Sequence, residues 1–325
     1  MTATHTDCLA GHRLAGLEPG NLLAFLALLG TLRALETSVP EWRPRVHWDG
    51  APLRPILSLA VPATREDVAR EAARGCAELA EDHDFAGEAD VTFDRARARA
   101  MLGAATDAPR RAALLDALFS DGALKDDGRV VASPLCAMFG QGHQHFLTRL
   151  AEVPKGVLPK GLARKKHPPN LNAPEKLAEA LFAPWVRADE TDSFRWDPAE
   201  DRRYALRFGD PSTDPGRTVH GANRLAAVGL PVLPGAAVER RGRMRFLTLG
   251  TTLNGKGEVE IRWPIGRIPM SLGMLRAVTA HPALARPSPD LEALAGLGVA
   301  EVRCARRISV GKYFNFTPAE ALKPE

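Results

Sequence analysis

Three separate stretches of the sequence concentrate positively charged side chains. Guanidinium and ammonium groups bind phosphate oxygens, and aromatic rings beside them can stack on unpaired bases. Each stretch alone is also typical of a solvated protein face, but the three together predict a nucleic-acid-binding surface. The candidate binding residues are Lys155, Lys160, Arg164, Lys165 and Lys166 in the first stretch, Arg240, Arg241, Arg243 and Arg245 in the second, and Arg306, Arg307 and Lys312 in the third.

A His-x-His pair, His143 and His145, is the second candidate for chemistry. In a strand, both imidazoles would lie on one face and could begin a metal site. No H-E-x-x-H or comparable pattern supplies further ligands, so structural or helix-capping roles are the alternative. We predict no metal and no cofactor. A metal-dependent nuclease or hydrolase that uses His143 and His145 is the alternative function.

Other enzymatic patterns are missing from the sequence. It has neither the G-x-x-x-x-G-K-[ST] loop of P-loop NTPases nor the G-x-S-x-G turn of α/β-hydrolases. The four cysteines form no C-x-x-C pair, which disfavours a zinc knuckle and a dense disulfide framework. These absences favour a binding protein over an enzyme.

Composition and charge are those of an ordinary globular protein. The chain has 325 residues, 45% of them hydrophobic, and a formal charge of +4, a mild bias toward anionic partners. The longest apolar run, residues 22–32, is shorter than the roughly 20 residues that cross a bilayer. The first 16 residues lack the pattern of a secretory signal. We therefore expect a cytoplasmic protein without a membrane partner.

Hydrophobic patterning predicts a mixture of helices and hairpins. Residues 22–35 are apolar on nearly every face, which indicates a buried helix, and Gly30 and Ala27 would let another backbone approach it closely. Thr64 and Asp67 form a capping-box pattern. Further predicted helices span residues 64–81, 93–102, 108–118, 174–182, 218–228, 271–280 and 290–297, and predicted strands span residues 43–49, 53–60, 243–251, 257–263 and 299–310.

This pattern predicts an α+β fold of mixed helices and antiparallel hairpins in two packed lobes. Residues 154–175 are rich in Pro, Gly and basic side chains, which is typical of a basic linker or mobile loop. The predicted domains are therefore a helix-rich N-terminal lobe over 1–153, the linker over 154–175, and an α+β C-terminal lobe over 176–325.

The run from Phe194 to Leu206 packs six charges between aromatic residues. Trp196 and Tyr204 can bury their rings while a polar edge stays hydrogen-bonded, and Pro198 favours a turn. We expect a structural corner whose acids pair with arginines of the same run, or alternatively an arginine-rich edge beside a ligand groove.

Several short blocks resemble a known family. They are GLEPGNLLAFLALLG at 16–30, SPL at 133–135 with FLTRL at 146–150, and WPI at 263–265 with PMSL at 269–272. In these blocks the chain resembles the large-subunit proteins of type I CRISPR interference complexes, notably the G (formerly U) subtype.

The resemblance implies a non-catalytic, DNA- and RNA-binding subunit of an antiviral ribonucleoprotein. Its partners would be guide RNA, target DNA near a short recognition motif, and the other subunits of the CRISPR complex, with cleavage left to a separate helicase-nuclease. In RNA-guided systems, base pairing reads most of the sequence while protein side chains hold the backbones.

Overall fold

The computed structural model describes residues 11–137, 145–200, 217–240, 242–310 and 313–322. Helices and antiparallel strands in several small sheets make up these ranges, so the predicted α+β class is confirmed. The division into two lobes joined by residues 154–175 stays a prediction. No helix in the described part of the chain is long and apolar enough to cross a membrane.

The helices and strands follow one another along the whole chain. The α-helices are Leu22–Ser38 (α1), Arg65–Ala80 (α2), Arg95–Gly103 (α3), Pro109–Asp116 (α4), Phe146–Glu152 (α5), Lys160–Ala163 (α6), Pro174–Phe182 (α7), His220–Gly229 (α8), Leu272–Thr279 (α9), Pro282–Ala285 (α10) and Leu291–Gly296 (α11). The strands are His12–Arg13 (β1), Arg45–Asp49 (β2), Arg54–Ser58 (β3), Gly235–Arg240 (β4), Arg243–Thr248 (β5), Thr251–Leu253 (β6), Val259–Gly266 (β7), Val299–Val310 (β8), Tyr313–Phe316 (β9) and Glu320–Ala321 (β10).

Most elements lie where the sequence pattern predicts them. The bounds of α7 and β8 coincide with the predicted ones, and the predicted capping box is present, with Thr64 and Asp67 bonding each other's backbone N–H groups. The prediction lacked α5, α6, α10, β1, β4, β9 and β10. Strand β4 escaped notice because Gly235, Ala236 and Ala237 give it little hydrophobic alternation.

Helices α1 and α8 cross at the centre of the core. All ten residues of α8 are buried, and so are 13 of the 17 residues of α1. A Cβ on Gly30 would lie 1.8 Å from the carbonyl oxygen of Leu225, and one on Gly229 would lie 2.4 Å from that of Leu26. The predicted close approach at Gly30 is thus confirmed, and a glycine on each helix makes it possible.

The strands form three antiparallel groups. Strands β1, β3 and β2 form one sheet in that order, and β10, β8, β7 and β6 form another, with β9 paired to the end of β8. Strands β4 and β5 form a separate two-stranded ribbon. The second sheet contacts α1 through Trp263, whose ring stacks on Phe25 at 5.3 Å between centroids.

The aromatic corner is anchored as expected, but the partners of its acid lie elsewhere. Trp196 is fully buried, and its Nε1 donates to the carbonyl oxygen of Leu135 at 2.8 Å. The buried carboxylate of Asp197 accepts from Arg187 Nε at 2.8 Å and from Asn21 Nδ2 at 2.9 Å. Both partners are outside the run, and residues 201–206 of the corner lie outside the described residues.

His83 joins the end of α2 to the end of α8. Its Nδ1 lies 3.1 Å from the carbonyl oxygen of Leu79, and its Nε2 lies 3.4 Å from that of Ala227. The ring is fully buried, and burial lowers the pKa of His83 to about 4. The folded protein therefore keeps this imidazole neutral at a pH where an unfolded chain would protonate it.

We predict that Gly30→Ala lowers the free energy of unfolding by about 1–3 kcal/mol, because the added methyl group must push α8 away from α1. Gly103→Ala is the matched control. It makes the same change at the end of α3, where an added Cβ meets nothing within 4 Å. Urea unfolding of both variants checks this. Equal stability of the two variants would contradict the close contact.

We also predict that the free energy of unfolding falls as the pH is lowered from about 6.5 toward 4. Only the unfolded chain binds a proton at His83 in this window, so the loss attributable to His83 reaches about 2 kcal/mol at pH 5. His83→Gln should reduce the slope of stability against pH, measured by urea unfolding between pH 5 and 7. His167→Gln, at an exposed position, is the control, and an unchanged slope in His83→Gln would refute the prediction.

Candidate nucleic-acid interface

The ribbon β4–β5 places three predicted binding residues on one face. Arg240 pairs with Arg243 across the ribbon, and Arg245 pairs with Val238. Directly opposed residues share a face, and residues two apart on one strand share it too. The same alternation puts Glu239 on the other face. The three arginines therefore project together, away from the nearest acid on the ribbon.

The ribbon is held at its base by one aromatic side chain. Phe246 is buried, and a Cβ on Gly235 would lie 2.3 Å from its ring, so the ring packs directly on this glycine. The turn at the tip has Gly242 in the left-handed region, at φ 72°, which glycine adopts without strain. Arg241, also in this tip, lies outside the described residues.

A groove of about 700 Å³ opens beside the arginine face of the ribbon. Its other walls come from β6, from the turn between β6 and β7, and from the end of α10 and the residues after it. Among the residues that the structure describes, the lining contains four cationic side chains and no acidic one: Arg240, Arg243, Arg245, Leu247, Thr251, Thr252, Leu253, Asn254, Lys256, Gly257, Ala285 and Pro287. We call this cavity the cationic groove.

Lys256 reaches the cationic groove from the β6–β7 turn. Asn254 organises this turn, because its Oδ1 accepts the backbone N–H groups of Lys256 at 2.9 Å and Glu258 at 3.0 Å. Its Nδ2 also donates to the carboxylate of Glu258 at 2.8 Å. The carboxylate of Glu258 is thereby hydrogen-bonded, and the side chain of Lys256 is exposed. The turn lies between the predicted strands 243–251 and 257–263, but Lys256 was not among the predicted binding residues.

The four cations of the cationic groove are exposed. Among the described residues, none of them lies within ion-pair distance of a carboxylate. Positive charges lined up in a concave site raise the local concentration of anions. The cationic groove is therefore suited to a ligand with several negative charges.

Arg306 extends this positive surface along the sheet. It lies opposite Glu260 on β7, which in turn lies opposite Thr252 in the groove wall. Two strand spacings separate Arg306 from Thr252, about 10 Å, and all three residues share a face. The carboxylate of Glu260 is bound by Arg262 Nη2 at 2.8 Å, so it does not neutralise the exposed Arg306.

Arg307, the next residue, faces the interior instead. Its guanidinium carbon lies 3.7 Å from the centroid of the Phe314 ring, and its Nη2 donates to the carbonyl oxygen of Cys136 at 3.4 Å. Burial lowers the pKa of Arg307 to about 10. Of this predicted pair, only Arg306 is placed to meet a ligand. Lys312 lies outside the described residues.

The first basic stretch is tied to helix α8. The buried Arg224 donates from Nε to the carbonyl oxygen of Pro154 at 3.2 Å and from Nη1 to that of Leu171 at 3.3 Å. Between these two points the predicted binding residues are exposed, and Lys165 pairs with Glu190 at 3.2 Å. Neither α8 nor Glu190 lines the cationic groove. The exposed residues are Lys155, Lys160, Arg164, Lys165 and Lys166.

His145 immediately precedes helix α5. Its Nδ1 lies 2.9 Å from Asp90 Oδ2, and Asp90 Oδ1 accepts the backbone N–H of Phe146 at 2.7 Å. His143 lies outside the described residues. Within the described ranges, no three His, Cys, Asp or Glu side chains are grouped so that they could hold a metal ion.

Comparison with known proteins adds no relative. No protein-family model matches the chain, and neither does any curated protein sequence.

We predict that substitution of one of the two neighbouring arginines of β8 affects binding and that substitution of the other affects stability. Arg306→Gln should weaken binding to a labelled oligonucleotide and leave stability unchanged, because its side chain is exposed. Arg307→Gln should lower the free energy of unfolding by about 1–2 kcal/mol, because it loses the Phe314 contact and leaves the Cys136 carbonyl without its donor. Fluorescence anisotropy and urea unfolding of both variants check this. The same response in both would contradict their placement on opposite faces.

Proposed function

We propose that this chain is a non-catalytic nucleic-acid-binding subunit of an RNA-guided CRISPR antiviral complex in the cytoplasm. The cationic groove is the observation that supports nucleic-acid binding, because four exposed cations line it without an acid. The resemblance to type I large subunits supports the assignment to such a complex. Its partners would be guide RNA, target DNA near the recognition motif, the other subunits and a separate helicase-nuclease.

The lining of the cationic groove favours contacts to the phosphate backbone. Arginine and lysine supply charge-assisted hydrogen bonds to phosphate oxygens. None of the described lining residues is aromatic, so these residues offer no platform on which bases would stack. We therefore propose that the groove holds a strand by its phosphates and adds little sequence preference. This division of labour fits a complex in which guide pairing reads the sequence.

The contact between His145 and Asp90 favours a second candidate function. A carboxylate that accepts a hydrogen bond from one imidazole nitrogen orients the ring for metal binding or proton transfer. The alternative is therefore a metal-dependent nuclease or hydrolase that uses His143 and His145. Metal analysis and nuclease assays of the protein and of its His143→Ala and His145→Ala variants decide this. Stoichiometric metal, with activity lost in the variants, would favour the enzyme.

A third possibility is a purely structural assembly protein. Charge reversal at Arg164, Lys165 and Lys166 would then leave nucleic-acid affinity unchanged while the complex still forms. Under the main proposal, these three cations bind the same polyanion, and the reversal weakens binding.

We predict that Arg243→Glu weakens oligonucleotide binding by at least about tenfold at low salt and lowers the salt dependence. On duplex DNA each phosphate contact contributes about 0.9 to the slope of log K against log salt, so losing one contact should reduce the slope by about that amount. Arg267→Glu is the matched control, because Arg267 is exposed but does not line the groove. Anisotropy titrations over a range of salt concentrations measure both quantities.

Equal losses for Arg243→Glu and Arg267→Glu would overturn the cationic groove as the binding site, since they would reflect net charge alone. The CRISPR assignment has its own test. Affinity purification from the native cell, followed by sequencing of bound RNA, should recover repeat-derived guide RNA. Recovery of unselected cellular RNA would leave a nucleic-acid-binding protein and would remove the CRISPR assignment.

A further inference from the structure

A second cavity lies on a different part of the chain, between α1, β2 and α9. It has a volume of about 470 Å³, within the usual range of small-molecule sites. None of its lining residues is shared with the cationic groove. The lining residues are Glu36, Pro40, Arg43, Pro44, Arg45 and Ser271.

Glu36 is the acidic group of this cavity. It lies in the last turn of α1, half-buried. Burial raises the pKa of Glu36. An ionised carboxylate has about four acceptor positions, which leaves room for several donors. A ligand with N–H groups would complete its hydrogen bonding.

Arg43 and Arg45 are the two basic groups. Both are exposed, and among the described residues neither lies within ion-pair distance of a carboxylate. Arg43 adopts the left-handed conformation, at φ 45° and ψ 56°, at the end of the turn Pro40–Trp42. A residue with a Cβ is strained there, and glycine would be favoured on backbone grounds alone. An arginine at a position where the backbone favours glycine is thus the unusual feature of this turn.

The cavity combines one carboxylate, two guanidinium groups and two proline rings. The net charge of its ionisable groups is +1, which suits a ligand with a phosphate. Pro40 is exposed and supplies an apolar surface beside these groups, and Pro44, which is buried, forms part of the floor. A ligand with an anionic group, an apolar body and N–H donors on the edge of that body matches this lining.

We propose that this cavity binds a guanine nucleotide, either free or as an unpaired residue of a strand. The N1–H and N2–H groups of guanine donate to Glu36, and Arg43 and Arg45 bind the phosphate. Uracil presents a single N–H between two carbonyl oxygens on the corresponding edge, so it offers the carboxylate one donor flanked by acceptors. A ligand that is anionic at both ends, such as an acidic peptide, would place one of its carboxylates against Glu36.

Isothermal titration of the full chain with GMP, UMP, guanosine and inorganic phosphate tests this site. GMP should bind at least about tenfold more tightly than UMP, guanosine or phosphate, because only GMP meets both ends of the cavity. A guanine-containing single strand that competes with GMP identifies the strand source. If GMP binds at this site and no single strand competes with it, the ligand is the free nucleotide.

Two variants separate ligand binding from structure. Arg43→Gly relieves the backbone strain, so it should keep or raise stability while weakening GMP binding about tenfold or more. Glu36→Gln introduces an amide donor and should narrow the preference for GMP over UMP. Arg276→Gln, an exposed arginine on α9 outside the cavity, is the control and should bind GMP as the unaltered protein does.

Three results would overturn the proposal. Equal affinities of the protein for GMP and UMP would exclude base recognition by Glu36. Phosphate that binds as tightly as GMP would reduce the cavity to an anion site. GMP affinity unchanged in Arg43→Gly would place any nucleotide elsewhere. The proposal does not depend on the cationic groove, so it stands or falls separately from the proposed function.

Discussion

The close crossing of α1 and α8 is the contact on which the other elements depend. Backbones approach this closely only where side chains are reduced to a hydrogen atom, and here Gly30 faces the carbonyl of Leu225 while Gly229 faces that of Leu26. Because no space is left between the two backbones, this contact fixes both the separation and the register of the two helices. Every side chain on α8 then takes a defined place in the interior, including the polar ones.

Those polar side chains connect the core to the segments around it. Arg224 uses its buried guanidinium to hold the carbonyls of Pro154 and Leu171, at the two ends of the first basic stretch. At the start of α8, Asp189 accepts the backbone N–H of His220 and binds Lys176. A buried guanidinium is costly unless its donors are satisfied. The hydrogen bonds that satisfy the guanidinium of Arg224 therefore also fix the path of the first basic stretch, which has few apolar residues of its own.

More of the helices and strands than of the candidate site could be predicted from the sequence. The all-round apolar character of α1 and the glycine at its crossing were readable, because burial on every side leaves a direct mark on composition. The cationic character of Arg240 to Arg245 was readable too. Their common face was not, because it depends on pairing with β4, whose small residues give little signal. Lys256 was missed because a single lysine in a turn looks like any solvated residue.

Arginines of this chain show why residue type alone could not assign the site. Arg306 and Arg307 are neighbours in one strand, and strand alternation sends one to solvent and the other onto Phe314. A guanidinium that already donates to backbone carbonyls, as in Arg224 and Arg307, would have to break those bonds to take a phosphate. Exposed arginines without a carboxylate partner lose only water when they bind one. Availability for a polyanion is therefore decided by register and burial, which place the free cations around the groove.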